Sequence, residues 1–339
     1  MKFQNVAIES IAHEEAPHVV TSEELEDQIS ETMARLEIEK GRLMGPTGIR
    51  ERHFFDLDDQ PSEVATRAAV KAIDKAGIDP QRIGCLINTS IAKDYLEPSV
   101  ACLVHGNLKL SARCINFDIT NACLGFLNGM NTIAFMIEAG EIDYGLVVSG
   151  EHTREVVETT IKRLQSPTVT LDDFYNNFAT LTIGSGGVAM VLSRKDLSRS
   201  GHLLEGSVNM AASEHNRLCV AQREYMKTDS RTLLSAGAEL IFNTWKLAYE
   251  TFPGFGNGGI DIYLPHQVSK KQINTFAQLM GLDLNQIYLI LERFGNMASA
   301  ALPSAISYAA ENGRLKSGDR AALIGVGSGL NCSIMKVAW

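Results

Sequence analysis

Residues 121–150 read NACLGFLNGMNTIAFMIEAGEIDYGLVVSG, and residues 296–327 read NMASAALPSAISYAAENGRLKSGDRAALIGVG. Each stretch has a small-residue entry, an apolar helix, a turn of Ala-Gly-Glu-Ile or Asn-Gly-Arg-Leu, and a hydrophobic strand ending in glycine. When the turn glycines Gly140 and Gly313 are laid together, Cys123 falls on Asn296. Two readings are open. Any two strand–helix units share such a pattern, or the chain carries a duplicated fold whose equivalent helix starts face one site.

The flanking sequence alternates strands and helices, the pattern of an α/β protein. A first strand is expected over 4–11, a helix over 63–76, and strands over 83–89 and 114–119. The helix of 122–139 ends at Gly140, a usual position for glycine after a helix. A buried strand follows over 144–149, and 181–192 reads as the last strand of the first half. The polar stretch 151–177 reads as an insertion with short helices. The pattern then restarts with a strand near Leu203, a helix over 231–250, a strand over 260–264, helices over 269–280 and 298–311, and two final strands from 320 to 339. This divides the chain at about 195, into an N-terminal half of 1–195 and a C-terminal half of 196–339.

The bulk numbers agree with a globular protein. The chain has 339 residues, 45% hydrophobic and 21% charged, enough to bury a sizeable core. Its net charge of -9 argues against binding a nucleic-acid backbone, while leaving room for one small basic patch. No apolar run reaches bilayer length, and Met1-Lys2-Phe3-Gln4-Asn5 breaks into charge and amide too early for a signal peptide, so a cytoplasmic location is expected. The cysteines are Cys85, Cys102, Cys114, Cys123, Cys219 and Cys332, without CxxC pairs or metal-like spacing to histidine. They are expected to be free thiols, with Cys85, Cys102, Cys114 and Cys332 structural.

Cys123 sits between a strand and a helix. The positive end of a helix dipole favours a thiolate there, and Gly125 leaves room for a substrate carbonyl. The alternative is a small buried hydrophobe. His266 lies in Tyr263-Leu264-Pro265-His266-Gln267-Val268-Ser269, at the carboxyl end of an apolar strand, where functional groups gather in open α/β sheets. Asn296 lies in Arg293-Phe294-Gly295-Asn296-Met297-Ala298-Ser299-Ala300, at a loop-to-helix start, where a capping role is the alternative. The segment Gly325-Val326-Gly327-Ser328-Gly329-Leu330-Asn331 lets backbone N–H groups approach a developing oxyanion; no following Lys or Thr makes it a phosphate loop.

Together, Asn-Ala-Cys-x-Gly, Pro-His-Gln and Gly-Asn-x-x-Ser-Ala resemble the condensing enzymes of the thiolase superfamily, in its ketoacyl synthase III branch. The resemblance covers almost the whole chain. It implies a thiolase-like fold with a duplicated five-layered αβαβα architecture. It implies Cys123 as the acyl-accepting nucleophile, with His266 and Asn296 completing the triad. It places the amides of Cys123 and Ser328 in one oxyanion hole, beside Gly325, Gly327 and Gly329, and makes His266 and Asn296 a second one for an enolate. No metal or cofactor is implied; coenzyme A thioesters enter as substrates.

The window Lys93-Asp94-Tyr95-Leu96-Glu97-Pro98-Ser99 is closer to the OleA-type enzymes of bacterial olefin biosynthesis, as are Ile142-Asp143-Tyr144 and the ending Gly327-Ser328-Gly329-Leu330-Asn331-Cys332-Ser333. That likeness implies a non-decarboxylative Claisen condensation of two fatty acyl-CoA molecules to a 2-alkyl-3-oxoacyl product. Glu97 is then the base, contributed across a homodimer interface into a dry channel that raises its pKa; a surface acid at a helix start is the alternative. Two acyl tails imply two apolar channels, and the insertion is expected to cover one. A reductase and a β-lactone-forming enzyme are implied as downstream partners. Competing readings are a decarboxylative synthase using a malonyl-carrier protein, a thiolase (Cys332 falls beyond the glycine loop), and a non-catalytic acyl-binding partner. Arg50, Arg52, Lys270 and Lys271 are candidates to grip coenzyme A, with solvated surface charge as the bland alternative.

Overall fold

The computed structural model describes residues 1–222, 224–256 and 258–339. Strands run over Val6–Glu14 (β1), His18–Thr21 (β2), Glu51–Phe54 (β3), Ile83–Asn88 (β4), Ile115–Asp118 (β5), Tyr144–Glu151 (β6), Gly186–Arg194 (β7), His202–Ala211 (β8), Cys219–Gln222 (β9), Tyr225–Thr228 (β10), Ile262–Pro265 (β11), Arg320–Gly327 (β12) and Asn331–Ala338 (β13). Helices cover Ser22–Gln28 (α1), Ser30–Arg35 (α2), Met44–Thr47 (α3), Pro61–Ala76 (α4), Val100–Asn107 (α5), Gly125–Glu138 (α6), Arg154–Leu164 (α7), Leu171–Asn177 (α8), Ser230–Thr251 (α9), Lys270–Met280 (α10), Leu291–Phe294 (α11) and Ala301–Glu311 (α12).

The main hydrogen-bonded order is β11-β12-β13-β8-β1-β7-β6-β4-β5. It joins two sheets at a narrow seam, where β1 and β8 pair only through Ala7↔Leu203 and Ile8↔His202. The period of two in the strands sorts side chains between layers. In β7, Val188, Met190 and Leu192 face a central core with α6 and α12, while Ala189 and Val191 face α4 and α5. In β12, Ala321 and Leu323 face the same central core, and Ala322 and Ile324 face α9 and α10. The result is five layers, αβαβα.

Local sequence explains how the outer helices seat. α4 opens with Pro61 in its first turn and a Gln60–Glu63 capping box, and stops at left-handed Gly77. Its stripe of Ala65, Ala68, Ala69, Ala72 and Ala76 is fully buried, so the helix lies close on the sheet. Gly150 in β6 answers it, since a Cβ there would fall on the Pro61 carbonyl.

Several expectations shift. The strand expected over 181–192 begins only at Gly186, because 178–182 is a 3₁₀ turn and the next residues bond elsewhere: Gly184 N–H donates to Asn296 O (3.0 Å) and Ser185 N–H to His53 O (2.8 Å). The helix expected from 122 starts at Gly125, and the one from 298 starts at Ala301 after a 3₁₀ turn. The insertion does form short helices, α7 and α8. They share an apolar cluster with the first 50 residues, where Leu25, Ile29 and Met33 meet Val157, Ile161 and Leu164. Helices α1 to α3 are too short to show a period in the sequence. Cys102, read as buried, is exposed on α5.

Candidate active site

Cys123 stands on a tight turn ahead of α6. Leu124 N–H donates to Asn121 O (3.1 Å) and Gly125 N–H to Ala122 O (3.0 Å), with Ala122 held left-handed at φ 47°. That conformation costs an alanine roughly 1–2 kcal/mol, and the packing around it must hold it. Strand β12 lies against the turn because its glycines are bare: a Cβ on Gly327 would come 2.9 Å from Asn121 O and 3.0 Å from Leu124 N, and one on Gly325 would meet Leu124 and Leu127. Asn331 Nδ2, just past Ser328 and Gly329, donates to Asn121 Oδ1 (3.2 Å). On the opposite side, a Cβ on Gly125 would lie 2.9 Å from Thr89 O. The glycine loop and the turn that carries Cys123 are therefore one packed unit.

Asn296 shares one local feature: Gly295, directly before it, has a positive φ of 65°, as Ala122 has directly before Cys123. Asn296 N–H donates to Thr182 O (3.0 Å), and its Oδ1 accepts Ala298 N–H (3.0 Å), which leaves Nδ2 as the donor it can offer a ligand. His266 follows β11, and its N–H donates to Ile324 O (2.8 Å) on β12, one residue before the glycine loop. Gln267 ties this point to the Asn296 segment: its Oε1 accepts from Ile290 N (2.8 Å) and Leu291 N (2.9 Å), where α11 begins. Thus β12 links His266 to Cys123, and Gln267 links His266 to the helix preceding Asn296.

The electrostatics differ from the sequence expectation at Cys123. Burial first, then the neighbouring Glu151 and Cys219, push its thiol up to about 12, so the helix dipole does not leave a resting thiolate. Cys123 is deep in the protein yet keeps some accessible surface. His266 is buried, burial lowers it to about 4, and Nδ1 has no hydrogen-bond partner among the described residues. Cys123 is thus a neutral thiol at rest, and His266 a neutral imidazole able to accept a proton. Glu151 is buried too; desolvation raises it to about 7 against the pull of the Ile91, Ala92 and Ser299 amides.

Glu97 is exposed, between Leu96, which is 99% exposed, and Pro98. The carboxylate that acts on Cys123 within the chain is Glu151, a residue the sequence reading passed over. Its only signal there is one acid closing an otherwise apolar run, 144–151. Gln267 was quoted in a motif without a role. Of the basic candidates, Arg50, Lys270 and Lys271 are exposed, but Arg52 is fully buried. It donates to Leu181 O and Ser22 Oγ (both 3.0 Å), and burial lowers it to about 10. It is an internal tie, neither solvated charge nor coenzyme A grip.

Comparison with known proteins agrees with this geometry. Residues 117–208 match the family described as 3-oxoacyl-[acyl-carrier-protein] synthase III, and 253–339 match its C-terminal part. An acyl-CoA:acyl-CoA alkyltransferase of Xanthomonas campestris is 44% identical, with all of both chains covered. One of Shewanella oneidensis is 35% identical over the same full extent. The crystal structure of Xanthomonas campestris OleA with a cysteine changed to serine, bound to lauric acid and lauroyl-CoA, superposes with a TM-score of 0.97 at 44% identity, covering 99% of this chain and 100% of that one. Other structures of that OleA carry substitutions at a glutamate, a cysteine and a histidine. That glutamate precedes that cysteine by the same number of residues as Glu97 precedes Cys123, and the histidine follows at a spacing within one residue of that of His266.

Proposed function

This chain belongs to the acyl-CoA:acyl-CoA alkyltransferase family, and from that premise we propose that it joins two fatty acyl-CoA molecules by a non-decarboxylative Claisen condensation through an acyl-Cys123 thioester. The observation that carries the reading is the full-length likeness to two such alkyltransferases, at 44% and 35% identity.

In the first half-reaction, Cys123 Sγ attacks the acyl-CoA carbonyl while the neutral His266 imidazole takes the thiol proton. The amides of Cys123 and Ser328 receive the tetrahedral oxygen, and coenzyme A leaves carrying that proton. In the second, the carbonyl of another acyl-CoA lies at Asn296 Nδ2 and His266. Glu97 from a second copy of the chain removes the α-proton. The enolate carbon attacks the acyl-Cys123 carbonyl, the new C–C bond forms, the C–S bond to Cys123 breaks, and the sulfur is reprotonated. The product is a 2-alkyl-3-oxoacyl thioester.

The same reading makes the working unit a cytoplasmic homodimer. Tyr95, Leu96 and Ile115 are exposed apolar residues, and β5 is the free edge of the sheet. An uncovered apolar edge of this kind is expected to find a partner strand. No helix among the described residues is long and apolar enough to cross a membrane. The 3-oxo group suits a reductase and then a β-lactone-forming enzyme as downstream partners. Incubation with a single fatty acyl-CoA, followed by mass spectrometry, tests the proposal. Condensed product without a malonyl donor is expected; strict dependence on malonyl-carrier protein would instead assign a decarboxylative synthase. Failure to form any acyl-Cys123 adduct would leave only acyl binding.

A further inference from the structure

We infer that Glu151 is a positioning residue for the condensation step, its buried carboxylate fastening the root of the arm that carries Glu97 beside Cys123. The inference rests on the reading of Glu97 as the base.

Glu151 ends β6, opposite Gly186 in the sheet, and is 1% exposed. A carboxylate so placed is costly unless bonded. Its two oxygens divide between consecutive backbone amides: Oε1 accepts Ile91 N–H (2.9 Å) and Oε2 accepts Ala92 N–H (3.2 Å). The two residues before these are wedged between the catalytic segments. Thr89 Oγ1 donates to Val148 O (3.0 Å) and accepts from Ser299 Oγ (3.2 Å), three residues past Asn296. Its carbonyl also backs Gly125, two residues past Cys123. Ser90 Oγ accepts Gly150 N–H (2.8 Å).

Beyond Ala92 the chain runs out to the surface as the exposed arm of Tyr95, Leu96 and Glu97. Two more acids hold it further along. Asp94 accepts from Ser62 N (3.0 Å) and Ser62 Oγ (2.5 Å), and Asp118 accepts from Val100 N (3.2 Å) and Ala101 N (2.9 Å) where α5 begins. Of the three anchors, only Glu151 lies beside the nucleophile. Glutamine at 151 would keep the volume but present an NH₂ in place of one of the oxygens that the Ile91, Ala92 and Ser299 amides bond, so part of the clamp is lost. Aspartate keeps both acceptors on a shorter stem. A reacting group displaced by about 1 Å loses up to roughly 10²-fold in rate, and that loss falls on the step that uses Glu97.

The test compares full-length wild type, E151Q and E151D. Acyl loading of Cys123 is measured by quenched mass spectrometry, condensation by product formation, and the arm by hydrogen exchange of peptides spanning 89–98. We expect E151Q to lower condensation about tenfold or more while loading falls less than threefold, a loss of near 1.4 kcal/mol confined to one step. Exchange over 89–98 should quicken while β4 stays protected, and E151D should recover part of both. Parallel losses in loading and condensation, or an arm whose exchange does not change in E151Q or E151D, would overturn the inference and leave the Glu97 reading standing. Wild type that loads Cys123 but condenses nothing from acyl-CoA alone would remove that reading, and this inference with it.

Discussion

At Cys123 the sequence rule and the environment pull in opposite directions. A cysteine ahead of a helix is expected to ionise easily, yet burial and Glu151 hold this one as a thiol. In the proposed mechanism its reactivity then depends on proton transfer to His266 during attack rather than on a standing thiolate. The alkylation rate by iodoacetamide should keep climbing with pH beyond 9, without the plateau near neutrality shown by an activated thiolate, and E151Q should alkylate faster than wild type at pH 8. A plateau below pH 8 in wild type would contradict this. Cys123→Ala should show no acyl adduct and lose on the order of 10³-fold or more in condensation. Asn296→Ala removes the donor that the proposed mechanism assigns to the enolate, so condensation should fall about 10²–10³-fold, with acyl loading of Cys123 much less affected.

Among the elements, β12 decides most. Its glycines stand out in the sequence and are read there as a loop that could admit an oxyanion. Their second task was not: they let a whole strand lie flat against the turn that presents the nucleophile. Gly327→Ala places a methyl about 3 Å from two backbone atoms that cannot yield cheaply. It should destabilise the fold by about 1–3 kcal/mol and impair acyl loading, as thermal melting and adduct formation would show. The arm is the second such element. Its Glu-Pro-Ser window was visible as letters, and Ser99 does cap α5, accepting Cys102 N–H (3.1 Å). What anchors the arm comes from three other segments. Leu96→Asp should shift the protein toward monomer in analytical ultracentrifugation and lower condensation more than acyl loading.

Across the molecule, the buried ionisable groups set opposing pH limits on stability. Glu151 rises from its ordinary 4.5 to about 7, so the folded state holds a proton the unfolded chain has released. Its contribution is full below pH 4.5 and is lost as pH rises through 7, a cost on the order of 3 kcal/mol. His266 falls from 6.5 to about 4, so its contribution is full above pH 6.5 and is lost as pH falls through 4. Denaturant unfolding at pH 5 and pH 8 checks the first sign. E151Q should gain on wild type between the two, and a constant gap would contradict the burial of a titrating carboxyl.

The alternation of elements, the internal repeat, the windows around Cys123, His266 and Asn296 and the glycine loop could all be read in the sequence, because each depends on neighbours within a few positions: a period of 2 or 3.6, a bare glycine, a strand-to-helix corner. The placement of Arg52 inside the protein, the raised thiol of Cys123 and the tasks of Gln267 and Glu151 belong to the tertiary structure. Burial and hydrogen bonding between segments 60 to 130 residues apart, as at Ile91–Glu151 and Arg52–Leu181, leave no mark on local spacing. Charge in a low-dielectric interior is governed by what the fold brings near it, and sequence order alone does not carry that information.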